Sequence, residues 1–203
     1  AMSSKTTQSK NPKPGLLISP SRFFYARSNL LAAFLATAVF AGYLVFVLMG
    51  KGAAFEVANS SVRSLGTTLG FGQTEILAFL AERSEQMILA YINFNQVWDS
   101  LFALIYGVMY VIWVSVLFKP YSKRATILNL LPFGQVVFDW LENFALATLS
   151  NEYLAGGTIS STTAALASTF STTKWVFSLL VYGVIFVGIV MRVVRAIKKR
   201  SQR

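Results

Sequence analysis

The chain has 203 residues, of which 55% are hydrophobic and only 13% charged, with a net charge of +10. A soluble domain of this size is about 25% charged, and here the apolar residues gather in a few long runs, the pattern of a membrane protein. Cysteine and histidine are both absent, so disulfides, iron–sulfur and zinc–thiolate centres, histidine-held haem and imidazole acid–base chemistry are excluded, and neither a cofactor nor a metal is expected.

Setting aside the opening Ala1-Met2, residues 1–29 are rich in Ser, Thr and Lys, lack acids, and read as a basic polar tail outside the membrane. A spanning helix needs ~20 mostly apolar residues. Four stretches meet this: Leu30–Met49, Trp98–Phe118, Ile127–Leu149 and Trp175–Val194. Pro120 and the charges of "KPYSKR" close the second. Pro132, near the start of the third, predicts a kink rather than a break, since neighbouring helices can satisfy the carbonyl it frees. Residues 30–195 form the membrane domain, and residues 196–203 a basic C-terminal tail. The expected fold is all-α: an integral membrane four-helix bundle, multi-pass, with an additional outer amphipathic helix.

Basic residues set the orientation. All but four of the eighteen fall in the N-terminal tail, the second-to-third connection or the C-terminal end. Lys51, Arg63, Arg83 and Lys174 are left for the other side. Both termini are therefore expected on the cytoplasmic side, or the matrix side in an organelle. A bacterial inner membrane and an organelle membrane such as the mitochondrial inner membrane both fit. The basic flanks suit anionic lipid headgroups rather than nucleic acid.

On the outer side, residues 73–94 place Ile76, Leu80, Met87, Ile88 and Tyr91 near one face, with Glu75, Glu82, Arg83 and Glu85 on much of the other. This predicts one amphipathic helix, lying on the membrane or capping the bundle. Asn59-Ser60-Ser61 matches a glycosylation sequon. The second outer loop, "SNEYLAGGTISSTTAALASTFSTTK", is poor in charge and has room for a short helix around Ala164–Phe170. In the first span, Ala32, Ala33, Ala36, Thr37 and Ala41 offer small faces for close helix approach, as do Ser178, Gly183 and Gly188 in the fourth.

The third span carries the candidate site. Gln135, Asp139, Glu142 and Asn143 share one helical stripe by their three- and four-residue spacings. In the second span Asp99, Phe102, Tyr106, Tyr110 and Trp113 fall on a similar stripe. At ~1.5 Å per residue, Asp139 lies roughly 18 Å into a ~30 Å core, at a depth comparable to Tyr106. Facing stripes would enclose an acidic, aromatic-walled pocket of Asp99, Tyr106, Tyr110, Gln135, Asp139, Glu142 and Asn143, with Lys174 and Arg83 as counter-charges. A charge at the bilayer centre costs at least ~2.5–3.5 kcal/mol, so these acids must face protein.

The segments "DSLFALIY" and "LPFGQVVFDWLEN" resemble a family of uncharacterised four-span membrane proteins that pair an Asp-x-x-Phe-x-x-x-Tyr span with an Asp-x-x-Glu-Asn span. The resemblance implies a four-helix membrane fold over roughly residues 30–195 and groups these polar positions, but it implies no activity. The motifs of intramembrane aspartyl proteases, retinal proteins and CDP-alcohol transferases are missing.

Three functions remain open. One is a non-catalytic accessory or scaffolding subunit with bound lipids, assembled with other membrane subunits or as a homo-oligomer. A second is a membrane-embedded enzyme acting on a lipid, with Asp139 and Glu142 as acid and base and Asp99 or Tyr106 assisting. The third is a carrier using the same acids, although no inverted repeat is visible.

Overall fold

The structure is a computed structural model that describes residues 16–62, 64–124 and 127–201, and among these it is all-helical. Six helices follow in order: α1 (Ile18–Arg27), α2 (Leu30–Phe55), α3 (Gln73–Ala81), α4 (Glu85–Tyr121), α5 (Leu131–Gly156) and α6 (Ser161–Ser201). Arg63, expected among the outer charges, and the basic residues of 1–15 and Arg203 lie outside the described residues.

The expected outer helix over 73–94 is two helices. Ser84 stops the run: its backbone is extended and its hydroxyl accepts the Met87 N–H at 3.4 Å, capping a new helix. That helix, α4, then continues into the expected second span without a break. The sequence pattern hides the join because the same apolar face resumes after it. Likewise α6 begins at Ser161, well before the expected fourth span, absorbing the short helix expected around Ala164. It also stays helical to Ser201, through most of the expected C-terminal tail.

Pro132 sits in the first turn of α5, where its missing N–H removes no interior bond, so it starts the helix rather than kinking it. Gly157 ends α5 with φ of +69° and donates its N–H to Tyr153 O at 2.7 Å, a left-handed cap that glycine adopts without steric cost. α2 is capped by the Asn29 side chain, which accepts from Ala32 N–H at 2.9 Å.

Helices α2, α4 and α6 are long and apolar enough to cross a membrane. At ~1.5 Å per residue, the 37 residues of α4 and the 41 of α6 reach roughly 55 and 60 Å, about twice a ~30 Å hydrocarbon core. The N-terminal halves of α4 and α6 build a separate apolar core with α3 and the end of α5, centred on Phe79, Leu80, Ile88, Leu146, Leu149 and Ala167. α5 is less apolar than the other three long helices because it is amphipathic in the reverse sense. Gln135, Asp139, Glu142 and Asn143 are buried, while Val137, Trp140 and Phe144 are exposed.

At the opposite end of the molecule, part of the expected N-terminal tail is an ordered helix. α1 packs against the end of α4 through Tyr25, Val114, Leu117 and Phe118. Buried polar bonds fix it there: Ser21 Oγ donates to Asn129 Oδ1 at 2.6 Å, and Asn129 Nδ2 donates to Ser21 O at 3.0 Å and to Ser115 Oγ at 2.9 Å. Lys119 Nζ reaches Ala26 O and Ser28 O at 3.2 and 3.0 Å. On α6, Arg192 donates to Val116 O and Arg195 lies over the Tyr121 ring at 4.6 Å. The described basic residues of α1, the α4–α5 connection and the end of α6 are thereby gathered at one end.

Small residues set the close approaches. A Cβ on Gly107 would strike Val136 on α5, and one on Gly134 would strike the Phe177 ring on α6. Gly188 faces Leu117 and Phe118, whose nearest atoms lie 2.9 Å from the position of such a Cβ. α2 lies against α4 through Ala33 and through Thr37 Oγ1, which accepts from Trp113 Nε1 at 2.9 Å. α4 also packs on α5 and α6, and α5 on α6, but α2 and α6 share no packed face.

Candidate functional site

The site lies where the core of α3 and the helix starts of α4 and α6 meets the apolar stretches of α4, α5 and α6. One turn and its neighbour on α5 bring Asp139, Glu142 and Asn143 to the buried face. Across from them, α6 presents Lys174, also buried. Its ammonium lies 3.2 Å from Asp139 Oδ1, forms an ion pair with Glu142 Oε2, and donates to Gly66 O at 3.3 Å. Asp139 Oδ2 accepts from Tyr106 Oη on α4 at 2.7 Å. A lysine on one helix thus bridges two carboxylates on another, and a tyrosine of a third helix holds the remaining Asp139 oxygen. Glu142 Oε1 is buried without a hydrogen bond, beside Ser171.

Two irregular turns shape the space next to this cluster. α2 carries a π turn over Leu44–Leu48 and α4 one over Phe94–Asp99, and the two touch. Tyr43 Oη donates to Trp98 O at 2.9 Å, and Ser100 Oγ to Asn95 O at 2.7 Å, so hydroxyls take up carbonyls at the widened turns. Between α2, α4, α5 and α6 lies a cavity of about 690 Å³. Asp99, Tyr106, Tyr110, Gln135, Asp139 and Lys174 line it, as do Trp175, Ser178 and Tyr182. The α2 wall is apolar, formed by Phe40, Leu44, Leu48 and Met49.

Most of the residues expected to share a pocket therefore do line one cavity. Two do not. Glu142 is turned toward Lys174 behind the cavity wall, and Asn143 lies beside Asp99 without lining the space. Arg83, expected as a counter-charge, lines the cavity but does not pair with these acids. Its guanidinium donates to Phe55 O at 2.9 Å and to Phe79 O, and lies over the Phe79 ring at 3.4 Å. Burial holds its pKa below the ordinary arginine value, as desolvation penalises the charged form. Trp175 and Tyr182 extend the aromatic wall from α6. Periodicity on the fourth span could have placed them there, as they sit one residue from Lys174 and four from Ser178.

Three carboxyl groups and one ammonium thus share the site, with the Tyr106 hydroxyl bonded to Asp139. Among the described residues, no group of three or more Asp and Glu side chains is arranged to hold a metal ion. The arrangement can anchor helices through charge-assisted bonds, and it leaves carboxylate oxygen facing an aromatic-walled space. The chain matches no protein-family model, and no curated protein or solved structure is similar to it at a significant level.

Proposed function

We propose that the protein is a small integral membrane protein with four spans, formed by α2, α4, α5 and α6, and with both termini on the cytoplasmic or matrix side. Within its membrane it serves as a non-catalytic accessory or scaffolding subunit, in contact with other membrane subunits or copies of itself, with lipid in its grooves. The reversed amphipathicity of α5 supports its assignment as a span: lipid-facing positions are apolar and the polar stripe is turned to its neighbours. The basic residues gathered at one end support the orientation.

One observation carries the non-catalytic reading. Lys174 holds both members of the acid pair, and Glu142 does not reach the cavity. A general acid and base must each meet the substrate at hydrogen-bond distance, whereas here the pair bonds across helices and fixes α5 to α6. Exposed apolar rows on α2 (Leu31, Phe34, Phe46) and α6 (Leu179, Phe186, Ile197) leave broad surface for lipid or neighbouring subunits.

The test is the native mass of the protein after gentle extraction from its source membrane, with co-purifying proteins and lipids identified. A stoichiometric assembly, retained by Asp139→Asn and Glu142→Gln, is the expected result. A lone chain carrying one enriched metabolite, whose turnover is lost in those variants while the fold persists, would overturn the reading in favour of a membrane-embedded enzyme acting on a lipid.

A further inference from the structure

We propose that the cavity between α2, α4, α5 and α6 is a binding site for an amphiphile with a cationic amine headgroup, which enters from the bilayer between α2 and α6. The inference rests on the membrane-embedded, non-catalytic reading above and names the ligand class of its cavity.

Charge is the first argument. Lys174 is already engaged by Asp139 and Glu142, and Arg83 by the carbonyls of Phe55 and Phe79. Asp99, Asp139 and Glu56 line the cavity together with Lys174 and Arg83, and Glu142 draws on Lys174 as well, so acids outnumber cations around it. A cation seated there supplies the missing charge within a space of low dielectric, where an unbalanced carboxylate is costly.

An orphaned acceptor gives the second argument. Gln135 is only 5% exposed, it lines the cavity, and its Oε1 has no hydrogen-bond partner. A buried carbonyl oxygen left unmade costs about 1–3 kcal/mol. An N–H donor beside Asp139, one turn along the same face of α5, satisfies it. A primary or secondary ammonium carries both the charge and the donors that Asp99, Asp139 and Gln135 need.

Shape completes the assignment. Rings of Phe102, Tyr106, Tyr110, Trp175 and Tyr182 form the walls near the acids, and aromatic faces attract ammonium groups. On the α2 side the lining turns aliphatic, with Leu44, Leu48 and Met49. The cavity volume of about 690 Å³ lies within the ~300–1,000 Å³ range of small-molecule sites. It takes a headgroup and the upper part of a chain. Because α2 and α6 flank α4 without packing on each other, the rest of the chain can pass between them into lipid.

The experiment uses the purified full chain in a sugar-headed detergent and titrates dodecylamine, dodecanol and ethylamine, with the quenching or shift of tryptophan fluorescence and native mass as readouts. Dodecylamine is expected to bind one per chain, and dodecanol roughly tenfold or more weakly, the difference of one charge-assisted bond. Asp99→Asn is expected to weaken the amine by roughly tenfold while leaving dodecanol unchanged. Gln135→Met weakens the amine without altering charge, and Glu85→Gln, on the exposed start of α4, leaves all three ligands alone. Equal binding of dodecanol and dodecylamine overturns the proposal. Ethylamine binding as tightly as dodecylamine overturns the amphiphile and its lateral entry, assigning the acids to a soluble ammonium instead. A chain that assembles with partners but fails to prefer the amine retains the accessory-subunit reading and loses this one.

Discussion

At the residue scale, the decisive feature is one lysine among three acids. Lys174, Asp139 and Glu142 are each nearly fully buried, so removing the cation alone strands two carboxylates. Lys174→Met is expected to cost about 3–5 kcal/mol, read as a large fall in the thermal midpoint in detergent or as loss of a monodisperse peak. Adding Asp139→Asn and Glu142→Gln to Lys174→Met removes the whole ionic cluster, and the midpoint is expected to recover most of the loss, because neutral replacement of a complete buried ion cluster is often near neutral. If the triple variant is as damaged as the single one, the cluster matters by shape rather than charge. The stripe of Gln135, Asp139, Glu142 and Asn143 was legible from spacing alone, and depth matching brought Tyr106 to Asp139. Spacing could not tell which way Glu142 turns, since that depends on where the Lys174 side chain reaches from another helix. The side chains of Arg83 and Lys174 look alike as counter-charges in sequence. The carbonyl of Phe79, four residues back, and that of Phe55, which the tertiary fold brings near, claim the first.

Helix by helix, glycines report which faces touch. Gly107→Ala drives a methyl into Val136 across the α4–α5 contact and is expected to cost about 1–3 kcal/mol, the usual range for overpacking a filled interface. Gly42→Ala on α2 has open space around it and is expected to leave the thermal midpoint unchanged or raise it slightly, alanine being the better helix former by up to about 1 kcal/mol. Comparable damage from both would mean that α4 and α5 do not pack as described. Capping supplies a second test: Ser84→Ala removes the N-cap of α4 and is expected to cost about 0.5–2 kcal/mol. Helix existence was legible wherever apolar runs exceed a bilayer's width. Joins and breaks were not. The α3–α4 break depends on a single cap within an unbroken apolar stripe. α1 is invisible to periodicity because its place is fixed by Ser21, Asn129 and Ser115, a polar contact between segments 108 residues apart.

For the whole molecule, the long helices divide into two regions, an apolar core built with α3 and resembling that of a soluble domain, and a set of apolar stems with basic ends. The charged cluster sits at the boundary between them. That placement gives the buried carboxylates protein neighbours: they face adjacent helices, and the cavity beside them is lined both by α2 and by Phe55, Phe79 and Tyr91 of the apolar core. Composition pointed to the long apolar helices, three of which the structure shows to be long enough to cross a membrane, but the proposed count of four spans turns on α5, whose hydropathy is lowered by the very residues that form the site. Only packing shows that its exposed side is apolar. The proposed four-span arrangement therefore depends on whether α5 crosses.

The chain contains no cysteine, so single cysteines report topology without background. Ser122→Cys, before α5, and Thr158→Cys, after it, would each be exposed to a membrane-impermeant maleimide from one face of sealed vesicles. The account predicts labelling of the two from opposite faces, with Ser122→Cys on the same side as both termini. Labelling of both from one face would contradict it, removing α5 from the membrane and with it the buried lysine–carboxylate core as the join between spans.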